Sequence, residues 1–367
     1  MKTIIMAVIY AVLSALLISP INVRAIILFG SGDPTVNTTA PSGDRGWKFQ
    51  GNLTNNNVLG TVIGSRYILT TQHIHVSVGE SFLLNGVVNT VTKVIDDTNS
   101  QLTVCKMQNS FGSSSANWAT LYESTNLIGK SFTVCGKGQQ RGDPVVSQIT
   151  NHTPFLITGI TNRGPSFGTV ELGVLGGDVG IHFVIQQSTN LQTWSTLAGT
   201  HVFSANEVSV SIPKTTNSSV FFRVMALTTI TNGWYLGATD LVKRWGENTV
   251  DTISGEYLIS AFDGSSSNTN ECMVTPYDSS GGLFIKDTDG KWKLAGINYG
   301  SFYWPWSLDG GLNTFGAALF DTTGLWYGLY PSVSYQGQSP DGQPVPAKCY
   351  HTSVSPRVAW IRWAMTQ

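Results

Sequence analysis

The sequence predicts an all-β protein with one helix at its C-terminal end, and three observations carry that prediction. Only 12% of the 367 residues are charged, about half the usual share, and Gly, Ser, Thr and Asn stand in their place. Apolar and β-branched residues recur in short alternating runs separated by turn residues, the pattern of half-buried strands. Almost nothing repeats at helical period until Pro356–Met365, where Val358, Ile361 and Met365 share a face.

Residues 1–25 read as a signal peptide. Lys2 precedes an apolar run from Ile4 to Ile18, and Pro20 leads to Val23-Arg24-Ala25, a small-residue cleavage site. An uncleaved N-terminal anchor is the rival reading. No second long apolar stretch follows, so the mature chain is expected to be secreted, periplasmic or at the cell surface, with no membrane association after cleavage. A net charge of −1 gives no field to attract nucleic acid. The four cysteines, Cys105, Cys135, Cys272 and Cys349, are far apart and form no C-x-x-C pair. A metal site is therefore not expected, nor any cofactor, and three disulfide pairings stay open in an oxidising compartment.

After a Gly/Pro/Thr-rich lead from Ser31 to Gly46, strands are expected at Leu59–Ile63, Tyr67–Thr71, Ser81–Leu84, Val87–Val94, Leu102–Met107 and Ser131–Cys135. Residues 151–228 change character: Thr, Ser, Asn and Val dominate, and strand-like runs lie at Ile181–Gln187, Val208–Ile212 and Phe221–Met225. This segment reads as a small β-sandwich inserted into a larger β-domain whose two parts are 26–150 and 229–367. The runs Val184–Trp194 and Phe221–Val224 resemble fibronectin type III-like modules of exported bacterial proteins. In that resemblance Trp194 and Phe222 are core residues.

Two places carry chemistry. Tyr277-Asp278-Ser279-Ser280-Gly281-Gly282-Leu283-Phe284 is a Ser/Gly turn running into an apolar strand. It can present a serine hydroxyl beside clustered backbone N–H groups. Among six histidines, His73 ends a hydrophobic strand in Leu69-Thr70-Thr71-Gln72-His73, where an imidazole reaches a rim and can serve as base.

Together these stretches resemble the trypsin/chymotrypsin-like serine peptidases, in which a strand ending L-T-A-A-H carries the base and G-D-S-G-G-P the nucleophile. His73 matches the first motif. Spacing from Leu283-Phe284 puts Ser279 at the nucleophile, with Ser280 as the alternative, and Asp278 at its neighbour. Trp292–Ile297, Gly46-Trp47-Lys48-Phe49 and Arg357–Met365 resemble the following strand, the early P-W-x-V strand and the closing helix. Exported bacterial members share Ile27–Pro34, Gln140-Arg141-Gly142 and Arg244–Asn248. The resemblance implies a trypsin-like double β-barrel, a polypeptide substrate or protein partner, and a monomer.

The departures concern the chemistry. Gln101 occupies the position of the aspartate that orients the base. An amide there costs about 10⁴ in rate in the well-studied triad, and Asp96 or Asp97 could approach instead of capping a turn. Tyr277 replaces the glycine whose N–H helps form the oxyanion hole, and Ser280 replaces the next glycine. Met273, six residues before Ser279, occupies the primary specificity position, so basic substrates are not expected. Cleavage after Ala25 would expose the Ile26 amine as a partner for Asp278. The resemblance thus implies a secreted serine endopeptidase impaired by Gln101; the alternative is a pseudopeptidase acting as an extracellular binding or scaffold protein.

Overall fold

The computed structural model describes residues 26–151, 156–162, 169–175, 181–197, 199–213, 220–264, 267–302, 316–323, 325–327, 334–337 and 344–367. The expected signal peptide, 1–25, lies outside them. Nearly all regular structure is strand, and Val358–Ala364 is the only α-helix among the described residues. The chain divides into two compact units. One comprises residues up to Val145 together with Asn232–Gln367; the other is Val146–Thr231.

In the first unit, six strands close a barrel in the order Gln50–Leu53, Val58–Gly64, Tyr67–Thr71, Leu102–Met107, Val87–Asp96 and Ser81–Leu84. Successive side chains of a strand point to opposite faces, and the barrel uses both. Ile68 joins a cluster with Leu53, Val62, Phe82 and Met107. Its neighbour Leu69 joins a second cluster that includes Phe284, Leu294 and Ile297 from later in the chain. The register Thr71↔Leu102 sets the end of one strand beside the start of the next, and Gln72 N donates to Gln101 O at 2.9 Å. A 3₁₀ turn, Gln72–Ile74, then carries His73.

A seven-stranded sheet forms the other half of this unit, in the order Arg244–Thr249, Ser131–Gly136, Gly282–Lys286, Trp292–Phe302, Ala347–Ser353, Tyr257–Phe262 and Thr252–Ser254. Gly282–Lys286 is an interior strand paired on both sides, so the turn preceding it emerges from within the sheet rather than from an edge. A closed barrel, this second sheet and a short C-terminal helix give the all-β, double-barrel arrangement expected from the sequence. The helix buries Val358, Ile361 and Ala364, and Met365 packs beside them.

The second unit has a three-stranded sheet of Leu156–Asn162, Thr169–Leu175 and Glu207–Pro213. Strand His182–Ser188 pairs with Ser195–Thr196, His201–Val202 and Phe221–Thr239. Leu172, Val174, Phe183, Ile185, Phe203 and Ile212 form its buried cluster.

Three expectations are corrected, and one expected strand is longer than read. Gly46–Phe49 is not strand: Gly46 takes φ 89° and Trp47–Phe49 is a 3₁₀ turn, extended structure starting only at Gln50. A left-handed φ is easy for glycine and breaks extended backbone. The Phe221–Met225 run continues to Thr239. Phe222 packs against the cluster of the second unit, but Trp194 does not belong to it; it is half-buried with the Arg223 guanidinium 4.3 Å from its ring centre. The cysteines form none of the three pairings: all four are buried and free, and burial pushes the thiols of Cys135 and Cys349 up to about 12.

Candidate active site

His73 and Ser279, 206 residues apart in sequence, meet: His73 Nε2 lies 2.9 Å from Ser279 Oγ. Partial desolvation, and secondarily the charge of His75, holds the His73 imidazole below its ordinary value, so the ring is neutral near pH 7 and can accept a proton. Its edge meets the Tyr299 ring at 5.0 Å and 85°. Tyr299 in turn lies 4.9 Å from Tyr257, whose hydroxyl is pushed above its ordinary value by burial and by the nearby Glu256 carboxylate.

The turn around Ser279 is held from below. Asp278 is buried, and its carboxylate accepts from Gly138 N at 2.6 Å, Thr275 N at 2.7 Å and Thr275 Oγ1 at 2.8 Å. Burial pushes its carboxyl up to about 7, although those three donors and the Arg244 charge pull the other way. Asn298 Nδ2 donates to Asp278 O at 3.0 Å and Cys135 O at 2.8 Å, while Asn298 Oδ1 pairs with His351 Nδ1 at 2.9 Å. Full burial pushes the His351 imidazole down to about 3; it is therefore neutral, and Nδ1 donates the proton to the amide oxygen.

Tyr277 and Ser280 both adopt left-handed backbone, φ 73° and 69°. The glycine-type conformation is thus kept by residues that adopt it at a cost of about 1–2 kcal/mol each. The Tyr277 side chain is half exposed. Among the described residues, the N–H groups of Tyr277 and Ser279 donate to no protein acceptor. They are the available donors for an oxyanion formed at Ser279.

Ser280 is not a nucleophile candidate in this arrangement. Its Oγ is fully buried and meets Thr70 Oγ1 at 2.7 Å, Thr71 Oγ1 at 2.8 Å and Thr71 N at 3.2 Å. Of the two serines, Ser279 Oγ alone reaches the histidine.

Gln101 does not replace the missing aspartate. Its backbone N donates to Glu256 Oε2 at 2.7 Å and its carbonyl accepts from Gln72. Among the described residues, its side-chain amide bonds neither His73 nor any other group. Nor do the two nearby carboxylates approach the imidazole. Asp96 accepts from Thr103 Oγ1. Asp97 is buried rather than capping a surface turn alone, bound by Ser100 Oγ at 2.6 Å, Asn99 N and the Arg357 guanidinium. No carboxylate contacts His73 among the described residues.

Met273 pairs with Ile27 and lies wholly inside the core cluster with Leu283 and Phe262. It has no exposed surface, so it offers nothing to line a substrate pocket, and the specificity expectation for this residue is corrected. An unbranched apolar chain there packs with its neighbours as any core methionine does.

Sequence reasoning missed Thr70, Thr71, Tyr299, Asn298 and His351. Only the Thr-Thr pair carried a local signal, standing beside the base motif. Among the described residues, no group of His, Cys, Asp and Glu is placed to hold a metal, and no helix is long and apolar enough to cross a membrane.

Neither a known protein family nor a curated protein matches the sequence. Among solved structures the chain is similar to neuropsin, a serine protease expressed in the limbic system of mouse brain. The identity is 12%, over 88% of this chain and 96% of that one, with a TM-score of 0.40.

Proposed function

We propose that this protein is an exported serine endopeptidase acting through an acyl-enzyme. The observation that carries the reading is the 2.9 Å contact between His73 Nε2 and Ser279 Oγ. As Oγ attacks a peptide carbonyl, its proton passes to Nε2, and the carbonyl oxygen gains negative charge within reach of the Tyr277 and Ser279 N–H groups. His73 then returns the proton to the departing amine, leaving an ester on Ser279; water activated by the same imidazole releases the acid. Without a carboxylate on Nδ1 the imidazolium is less stabilised, so the rate is expected to be low.

The pseudopeptidase reading rests on that same missing carboxylate. In it the domain is an extracellular binding or scaffold protein, with the 151–228 fibronectin type III-like module supplying contacts. A fluorophosphonate probe separates the two. Labelling of the parent that vanishes in Ser279→Ala supports the enzyme; labelling seen only after Gln101→Asp supports the pseudopeptidase.

Maturation by removal of residues 1–25 fits the environment of Asp278. A Cβ placed on Gly136 would collide with both the Asp278 carboxylate and the Ile26 side chain, so the two residues flank one point. An Ile26 amine in that region would supply the cation that a buried carboxylate lacks. An N-terminally acetylated mature chain that labels normally would exclude the idea.

A further inference from the structure

Resting on the reading of His73 and Ser279 as a working pair, we propose that Ser280 is a positioning residue whose hydroxyl ties the base strand to the nucleophile turn, in place of the absent aspartate.

The tie is complete in hydrogen-bonding terms. A serine hydroxyl has one proton and two lone pairs. Ser280 Oγ accepts from Thr70 Oγ1 and Thr71 N, and it donates to Thr71 Oγ1. Every capacity is used, and all three residues are fully buried. Ser280 immediately follows Ser279, and Thr71 is two residues before His73, so one hydroxyl connects the two backbones next to both reacting side chains.

The next residue secures the base from its other flank. Gln72 Nε2 donates to Ser100 O at 2.8 Å and to the carbonyls of Asp97 and Leu102. The backbone leading into His73 is therefore fixed on both sides, whereas the ring has only Ser279 and the Tyr299 edge. In a site with a carboxylate on Nδ1, the ring itself would be held and the backbone tie would be redundant. Here the tie sets the separation of Nε2 and Oγ, and misplacement by about 1 Å costs roughly 10²-fold in rate.

Ser280 also occupies φ 69°, a conformation glycine adopts more easily. From that strained position its side chain makes three buried hydrogen bonds. Ser280→Gly is accordingly the informative variant, since it relieves the backbone and removes only the tie.

The test uses the mature chain with ¹⁵N-labelled histidine. The Nε2 resonance of His73 is compared in the parent, Ser279→Ala, Ser280→Gly, Thr71→Val, Gln101→Asp and Gln101→Asp/Ser280→Gly. Ser280→Gly is expected to move the Nε2 shift toward that of Ser279→Ala, and Thr71→Val, which deletes the partner hydroxyl, to do the same. In the Gln101→Asp background the effect of Ser280→Gly is expected to disappear, because the ring is then held directly. Where the parent reacts with a fluorophosphonate, Ser280→Gly slows labelling by about tenfold or more, and by much less beside Gln101→Asp. An unmoved Nε2 resonance in both hydroxyl deletions overturns the proposal, as does a loss of equal size in both backgrounds. A parent that never labels but shows the resonance shifts removes the peptidase reading and leaves the tie standing.

Discussion

The two sides of the candidate site are built differently. The nucleophile side rests on a buried polar lattice, in which Asp278, Ser280, Asn298 and His351 are all buried and hydrogen-bonded to one another or to neighbouring backbone. The base side is an exposed imidazole on a three-residue 3₁₀ turn, with no carboxylate on it among the described residues. The difference teaches that the turn's architecture and the charge that makes it reactive are separable. A chain can keep the costly, over-determined half while the half that needs one ionised group has an uncharged residue.

The largest effect should come from breaking the lattice. Asn298→Ala removes the side-chain donor to Cys135 O and one of the two donors to Asp278 O, which keeps Gly281 N, and leaves the His351 Nδ1–H without its partner in a buried interior. At about 1–3 kcal/mol for each unsatisfied group, a loss of about 3–5 kcal/mol in urea-unfolding stability is expected. A loss below about 1 kcal/mol would show that the lattice is incidental.

Next comes the pH dependence of that half, where two buried groups act in opposite directions. His351 is depressed to about 3 from about 6.5 in an unfolded chain, so it costs stability as pH falls from 6.5 toward 3. Asp278 is raised to about 7 from about 3.9, so the stability it contributes is lost as pH rises from 4 toward 7. Each slope approaches about 1.4 kcal/mol per pH unit, and between pH 4 and 6.5 they offset. His351→Gln should therefore turn a nearly flat profile into one that falls as pH rises, and Asp278→Asn should give the reverse. Urea midpoints across that window check both signs; two unchanged profiles would remove the account.

On the base side, Gln101→Asp supplies the missing charge and should raise the His73 pKa and speed fluorophosphonate labelling by about tenfold or more. Gln101→Ala, which removes an amide that makes no hydrogen bond among the described residues, should alter stability by less than about 0.5 kcal/mol. The smallest effect is reserved for Tyr277→Gly. Relief of the left-handed backbone and the entropy of glycine nearly cancel, so stability should stay within about 1 kcal/mol of the parent. A large loss would mean that the half-exposed ring holds the turn.

Much of this was legible in the sequence, for reasons that particular residues make plain. Apolar and β-branched content in Tyr67–Thr71 and Leu102–Met107 gave strands with the observed bounds, because both faces of these barrel strands are buried. His73 and Ser279 were identifiable because each sits at a fixed offset from an apolar strand. What was not legible is side-chain pairing over long separations. Nothing local marks Asn298 as the partner of His351, 53 residues on. Ser280 reads in the sequence as a departure or a rival nucleophile, because its bonds to Thr70 and Thr71 join residues about 210 positions apart. Gly46–Phe49 has strand-like residues, but the left-handed glycine decides its conformation. Gln101 showed a missing charge, yet not that its amide would stand idle while its backbone held Glu256.

The second apolar cluster joins Ile63, Leu69, Leu102 and Val104 to Phe284, Leu294, Ile297, Val354, Val358 and Ile361. The outer face of the histidine-bearing strand is thus completed by residues nearly 300 positions later, and Arg357 latches the same end of the chain to Asp97. During synthesis the early strands must wait, with one hydrophobic face open, until about residue 361 has emerged. Such long-range closure is slow and leaves apolar surface exposed meanwhile. The histidine therefore gains its packed support only when nearly the whole chain has been made, and a nascent chain cannot bring His73 and Ser279 together early.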